Sequence, residues 1–456
     1  VVAACLSVSF VGGRASAEPS QGALSLSQVV SDALANHPAL RAFRADEAAA
    51  GARVEEARTR QLPDVGVSAQ LNRSTGNTVP GAFFPLQGFP PIAGAPQGRT
   101  FDDGVWQTGG ALYATWDVLS LARQAAAIDA ALAGQSESAA MTSAQRLEVA
   151  YRAADAFLLV LEAQETQRSA RASVNRAEIL ATVTRTLVAQ SLRPGADAAR
   201  AAAELAAAET QFARAEQSLD VRRAQLAEAM GDANRRVEAA PGALLEPLVT
   251  PGVGRPAPAP THPLIVQSEA AVGRATEAER AVELEYLPRL DLAAAIWMRG
   301  SGLYGSPAGG LVPDVPNWAA GLTATWSFLN IPTIRARARA ASASKAAAVA
   351  HRDQTSLAIA GQLASATAIL QGAQRISSQT PTTLASARSA EQQAVARYQT
   401  GLSSIVDVAE TQRLLAQAEI DDAVAHLEVR RALLLLARAS GDLSAFFAQA
   451  GTGRPD

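Results

Sequence analysis

Gly104-Val105-Trp106-Gln107-Thr108-Gly109-Gly110-Ala111-Leu112-Tyr113-Ala114-Thr115-Trp116-Asp117-Val118 sorts by parity into two unlike faces. Trp106, Leu112, Ala114, Trp116 and Val118 fall on one side, and Gln107, Tyr113, Thr115 and Asp117 on the other. Alternate residues of a strand point to opposite faces, so this is a two-sided strand with one apolar surface. Trp106 and Trp116 lie ten residues apart on that surface. At ~3.3 Å per residue and ~45° tilt, the two rings are roughly 23 Å apart along a membrane normal. Transmembrane barrels carry an apolar band of about 25 Å between aromatic girdles.

Three other segments alternate in the same way. Val65, Val67, Ala69 and Leu71 share one face, as do Leu290, Leu292, Ala294, Ile296 and Met298. In the last segment Trp318, Ala320, Leu322, Ala324, Trp326 and Phe328 oppose Gly321, Thr323, Thr325 and Ser327. All five Trp residues sit in these four segments, and Trp297 alone falls on the polar face. A soluble β-sandwich also alternates, but the Trp spacing and the lack of further strands favour a membrane barrel. Four strands cannot close one, because the smallest barrels use about eight. Lipid tolerates no open sheet edge, so several copies have to share one barrel.

The chain is internally duplicated. His37-Pro38 recurs as His262-Pro263 and Leu62-Pro63 as Leu287-Pro288, both shifted by 225 positions. Trp116 recurs as Trp326, Asp197 as Asp407, Glu209 as Glu419 and Gly231-Asp232 as Gly441-Asp442, all shifted by 210. The change of 15 falls between Pro63 and Trp116, which gives the first copy the longer loop. The first repeat covers 18–240, with strands at about 63–74 and 104–119 and a helical hairpin at about 120–231. The second covers 262–442, with strands at about 288–299 and 317–330 and a hairpin at about 333–440. Between them, 241–261 is a Pro/Gly-rich connection, and 443–456 is a C-terminal tail. Two loops link the strand pairs, at about Thr75–Asp103 and about Gly300–Asn317.

From Ser120 to Gln190 there is no Pro and one Gly, Gly134. Good helix formers dominate, and Leu147, Tyr151, Ala154, Leu158 and Leu161 make a coiled-coil seam. At ~1.5 Å per residue such a helix reaches roughly 107 Å. A turn at Ser191–Gly195 leads into a second Ala-rich helix, which starts at Asp197 and is stopped by Gly231. The second repeat turns at Gly401-Leu402-Ser403-Ser404, and Pro381 predicts a kink or break in its descending helix. Helices of this kind suit a coiled-coil stalk or a tunnel wall. Strands of membrane type joined directly to them favour the tunnel.

The 456 residues carry a net charge of −3, which gives no strong attraction to nucleic acid. Basic residues are almost all Arg, with Lys345 the single Lys. Residues 1–17 read as a secretory signal ending in Ala15-Ser16-Ala17. A transmembrane helix is the alternative, though the run falls short of ~20 spanning residues. Val2-Ala3-Ala4-Cys5 is a loose lipoprotein box, which leaves lipidation of Cys5 as a second alternative. One Cys and four scattered His suggest no metal site, and no cofactor is expected. No nucleophile–base motif or phosphate-binding loop stands out, so no catalytic role is expected.

Taken together, Asn36-His37-Pro38, Thr261-His262-Pro263, the two Leu-Pro pairs and both hairpin turns resemble the TolC-like outer-membrane efflux channel family. Arg397-Tyr398-Gln399-Thr400-Gly401-Leu402-Ser403-Ser404-Ile405-Val406-Asp407-Val408 is very similar to the family's helical tip. Ser191-Leu192-Arg193-Pro194-Gly195-Ala196-Asp197 matches too, with Ser191 where the family usually has Gly. The resemblance implies a mostly α homotrimer in the outer membrane of a Gram-negative bacterium. Each copy would give four strands to a transmembrane β-barrel girdled by Trp106, Trp116, Trp318 and Trp326, and four long helices to a periplasmic α-barrel. The tips, Ser191, Leu192, Arg193 and Pro194 with Gly401, Leu402, Ser403 and Ser404, would meet a periplasmic adaptor (membrane fusion protein) that links to an inner-membrane pump.

The resemblance also implies a periplasmic gate at Asp197, Tyr398, Asp407 and Glu410. In it the first hairpin's acid contacts the Tyr of the second, and Asp407 and Glu410 form a ring in the trimer. An Arg that helps hold some members closed aligns with Ser403, so a leakier resting state is expected. Helix N-capping is the alternative role for Asp197 and Asp407, and tip packing the alternative for Tyr398. His37 and His262, each before a Pro, read as capping or packing residues. A periplasmic adaptor or coiled-coil scaffold without a barrel is the competing function.

The loop at Thr75–Asp103 accounts for the 15-residue register change and reads as a surface loop. Its replacement by a short turn is expected to leave the assembled oligomer intact on unheated gels. Loss of all folded oligomer would show that the segment is structural.

Overall fold

The computed structural model describes residues 23–75, 104–246, 262–301 and 310–449. The leader at 1–17 with Cys5 lies outside these residues, as do positions 76–103 of the long loop, 302–309 of the short one, 247–261 of the connection and 450–456 of the tail. In chain order the elements are α1 (Leu26–Asn36), α2 (Pro38–Thr59), β1 (Asp64–Thr75), β2 (Gly104–Asp117), α3 (Leu121–Ala189) and α4 (Gly195–Ala229). There follow α5 (Pro263–Glu283), β3 (Arg289–Ser301), β4 (Val315–Thr325), α6 (Ile331–Gln399), α7 (Ile405–Ser440) and the short α8 (Ser444–Gln449). The chain divides into two compact units, with α3 crossing from one to the other after Arg146 and α6 after Gln362.

One unit contains α2, the sheet, α5 and the first parts of α3 and α6. Its sheet has the order β1-β2-β3-β4, with every pair antiparallel. The register sets Val67, Leu112, Ile296 and Trp318 in one row across all four strands. These side chains are 80%, 44%, 58% and 78% exposed. Val65, Leu71, Leu292, Met298 and Leu322 extend the same exposed apolar surface. Water disfavours such a contiguous face, and monomeric soluble proteins rarely carry one.

The opposite face is shielded, with Ala111, Ala293 and Ala295 buried. A Cβ on Gly66 would clash with the Tyr113 ring across the strand pair, so glycine is what lets that ring lie flat there. Trp297 obeys the same alternation. It belongs to the shielded face, in register with Ala111 and Asn317 on its neighbours. Among the girdle candidates, Trp116 Nε1 donates to Gln61 O at 3.0 Å, and the Arg73 guanidinium lies 5.7 Å from the Trp106 ring centroid.

The expected strand at 317–330 is too long. β4 ends at Thr325, so Trp326 and Phe328 lie beyond it, and Phe328–Asn330 is a 3-10 turn leading into α6. The register gives the reason. Arg289 pairs with Thr325, so the next partner of Trp326 would be Pro288, which has no N–H to donate. Of the kink or break expected at Pro381, the break is absent, since α6 runs through it unbroken. Pro381 leaves the Ser377 carbonyl without its helical donor, and the Thr380 hydroxyl lies 3.4 Å from that oxygen while donating to Asp422 at 2.8 Å. Among the described residues no helix is long and apolar enough to cross a membrane.

The other unit contains α1, α4, α7, α8 and the later parts of α3 and α6. Motifs that recur in the sequence meet in it. Gly231 ends α4 at φ +83°, and a Cβ there would lie 2.9 Å from the His37 Cα, so His37-Pro38 packs directly on glycine backbone. The 241–261 connection opens with a 3-10 turn at Gly242–Leu245. Arg430 of α7 holds it, donating from Nη2 to Ala243 O and Glu246 O at 2.7 and 3.0 Å. The expected tail begins as a helix instead, because α8 buries Phe446 and Phe447. In the sheet-bearing unit, His262 is the N-cap of α5. Burial holds its imidazole below the usual pKa, and the neutral Nδ1 accepts from the Leu264 N–H at 3.2 Å.

Leu112 stands at the middle of the exposed apolar row. An Arg at a barrel midplane costs about 2–4 kcal/mol. Leu112→Arg is therefore expected to reduce the assembled oligomer recovered from membranes, and wild-type yield and heat stability would overturn this assignment of the lipid face.

Candidate functional site

The two hairpin turns share one backbone design. At the end of α3, Ser191 N–H donates to Val188 O and Leu192 N–H to Leu187 O, both at 2.9 Å. At the end of α6, Gly401 N–H donates to Tyr398 O at 3.1 Å and Leu402 N–H to Arg397 O at 2.8 Å. This is the paired bonding of a Schellman stop, which needs one residue in the left-handed region. Gly401 takes it at φ +80° and Ser191 at φ +62°. Ser191 is the one non-glycine with positive φ among the described residues, so the serine stands where the backbone favours glycine.

The helices that leave these turns begin differently. Ser404 caps α7 with a closed capping box, its Oγ accepting from the Asp407 N–H at 3.3 Å while the Asp407 carboxylate accepts from the Ser404 N–H at 3.0 Å. Pro194 stands at the N-cap of α4 and makes no side-chain cap bond. Having no N–H, Pro194 cannot complete a box with Asp197, the third residue of its helix. The expectation that Asp197 itself caps is therefore corrected. Its carboxylate instead accepts from the Tyr398 hydroxyl at 3.3 Å, joining the first hairpin to the second.

Tyr398 is 1% exposed. Its ring packs with Leu180, Ala394, Ile405 and Val408, and Leu187 and Val395 border the cluster. Burial raises its hydroxyl pKa, and the charge on Asp197 pushes in the same direction, so it stays a donor. Arg193 lies across the ring with its guanidinium 4.5 Å from the centroid, and Nη2 donates to Tyr398 O at 2.5 Å. This contact was invisible in the sequence, where Arg193 was one turn residue among several.

Asp407 and Glu410 are both exposed on α7. The Ser404 backbone N–H, with its hydroxyl, holds Asp407 below the usual carboxylate pKa, and the ion pair with Arg413 at 2.6 Å does the same for Glu410. Leu192 and Leu402 are 64% and 71% exposed, two apolar side chains at equivalent positions of the two turns. Behind the tips, ion pairs tie α3 to α7. Arg176 makes a two-pronged contact with Glu419 at 3.2 and 2.8 Å, Arg431 meets Asp155 at 3.0 Å and Arg438 meets Glu148 at 2.9 Å. Of the sequence-derived gate residues, the structure brings Asp197 and Tyr398 together. It leaves Asp407 with Ser404 and Glu410 with Arg413.

The family model described as outer membrane efflux protein matches residues 29–232 and 260–442. Among solved structures, the chain is similar to the Campylobacter jejuni CmeC outer membrane channel, with 16% identity, a TM-score of 0.78 and coverage of 94% of this chain and 90% of that one. It is also similar to a membrane protein from Pseudomonas aeruginosa, with 20% identity, a TM-score of 0.77 and 91% and 93% coverage. The outer membrane protein VceC of Vibrio cholerae matches at 18% identity and a TM-score of 0.74, with 91% and 96% coverage. No curated protein matches the chain.

Loss of an N-cap hydroxyl costs about 0.5–2 kcal/mol. Ser404→Ala is expected to speed amide exchange over the first turn of α7, from Ile405 to Val408, and to leave α4 unchanged. Unaltered exchange there would show that the capping box does not hold this turn.

Proposed function

The chain belongs to the outer membrane efflux protein family, and from that premise we propose that it is one of three identical subunits of an outer-membrane channel-tunnel, the exit duct of a tripartite efflux or type I secretion system. In this reading three sheets share one twelve-stranded barrel in outer-membrane lipid, and α3, α4, α6 and α7 of each copy wall a periplasmic tunnel. A periplasmic adaptor engages the hairpin tips and links the duct to an inner-membrane pump. The observation that carries the proposal is the exposed apolar row Val67, Leu112, Ile296 and Trp318 on a sheet whose two outer strands, among the described residues, have a neighbour on one side only. That combination suits lipid on one face and a second copy at each edge. An adaptor working in water has no use for it. The exposed pair Leu192 and Leu402 supports the tips as the docking point, since each turn offers an apolar knob at the same register position.

Within this duct we assign the periplasmic gate to two devices. One is the Tyr398–Asp197 contact, which joins the tips of a protomer. The other is the carboxylate pair Asp407 and Glu410, three positions apart and therefore on one helix face. With that face inward, threefold symmetry turns each position into a ring of three carboxylates, which attracts cations and disfavours anions. Within one chain both carboxyls are held below their ordinary pKa, the mutual repulsion of three like charges works against that shift, and falling pH discharges the ring.

Planar-bilayer recording of the purified protein tests the reading. Stable channels are expected, with block by a trivalent cation added from the tip side and relief of block on acidification. Asp407→Ala with Glu410→Ala is expected to weaken both block and cation preference. If the double variant keeps both, these residues do not line the pore, and capping and ion pairing are their whole role. Protein that inserts no channels at all would sink the duct reading itself.

A further inference from the structure

Tyr398 is gripped at both ends by two residues of the first hairpin. Asp197 takes its hydroxyl at 3.3 Å, while Arg193 takes its ring face and its backbone carbonyl. That carbonyl belongs to the last turn of α6, at the negative end of the helix, and accepts from Arg193 in addition to the Gly401 N–H at 3.1 Å. Arg193 thus meets three attractive features at one place, namely a π face, a helix-end acceptor and the negative end of a helix. The planar guanidinium can stack and donate at once, which a lysine ammonium cannot. The duplication gives the position further meaning. Arg193 and Ser403 occupy the same register position, 210 apart, so the cation is present in the first turn alone. Ser403 turns inward to its own hairpin, its hydroxyl donating to Ala394 O at 3.3 Å.

We propose that Arg193 is a second latch of the gate, fastening the first hairpin tip onto the end of α6 so that the tips of one protomer separate only when its contacts with Tyr398 break. The proposal rests on the gate assignment above and adds to it a residue whose action does not pass through the Asp197 contact. Tyr398→Phe removes the bond to Asp197 and keeps both the ring and the carbonyl that Arg193 uses. Arg193→Gln does the reverse. The two substitutions therefore remove different contacts, and because the two residues touch, the double variant measures the coupling between them.

The test is single-channel recording of purified trimeric wild type, Arg193→Gln, Arg193→Lys, Tyr398→Phe and the Arg193→Gln/Tyr398→Phe double variant. Arg193→Gln is expected to shift the balance toward open by about two- to fivefold, the range of a partly exposed cation–π pair. Arg193→Lys should recover part of the closure, and the double variant should open further than either single variant. If Tyr398→Phe opens the channel while Arg193→Gln matches wild type, the gate stands and the Arg193 latch is overturned. If a conducting wild type is changed by neither variant, the gate assignment falls and the latch with it. Should Arg193→Gln yield no trimer, Arg193→Lys carries the test, and wild-type closure in that variant overturns the proposal.

Discussion

The outer edges of β1 and β4 constrain everything else in this protein, because among the described residues each has a neighbour on one side only. An unpaired backbone N–H or C=O in hydrocarbon costs several kcal/mol, and a strand edge presents a row of them. The apolar row on the same sheet makes lipid the natural surrounding, so the edges cannot be left to water. Both demands are met when the β4 edge of one copy pairs with the β1 edge of the next. With four antiparallel strands in order, that junction is itself antiparallel, and the sheet continues without a change of direction. In the proposed duct, association is in this sense part of the fold.

The duplication supplies the second constraint and shows how two copies of one plan diverge. Both turns stop their helices by the same Schellman bonds, yet Pro194 in one copy faces Ser404 in the other. A serine N-cap offers both a hydroxyl and an N–H, and Asp407 is consumed in the box they make. Proline offers neither, which leaves the Asp197 carboxylate available to reach across to Tyr398. A single difference in capping chemistry thus separates a helix-starting aspartate from one that links two hairpins. Arg193 adds a second asymmetry at the same place.

The alternation of the four strands and the long Pro-free helix were legible because period 2 and period 3.6 are written directly in residue order. Repeat register made the tips legible as a pair. What single-sequence reasoning missed came from contacts between distant segments. Trp326 looked like a strand residue by parity, but its ladder partner would be Pro288, and only the register of β3 on β4 exposes that. Pro381 pointed to a kink or a break, and helix α6 persists through it with Thr380 beside the freed carbonyl. Trp297 had no account until the small residues Ala111, Ala293 and Ala295 identified its face as the shielded one. Arg193 was a turn residue like its neighbours until Tyr398, far along the chain, was found beneath it.

The central claim is that one chain supplies a third of a closed barrel, and mass in detergent tests it most directly. Native mass spectrometry of the membrane-extracted protein is predicted to give a detergent-dependent complex of three chains, each close to 47.1 kDa less any processed leader. A single chain that stays monodisperse in water without detergent would contradict the account, because the open edges and the apolar row would then have no partner.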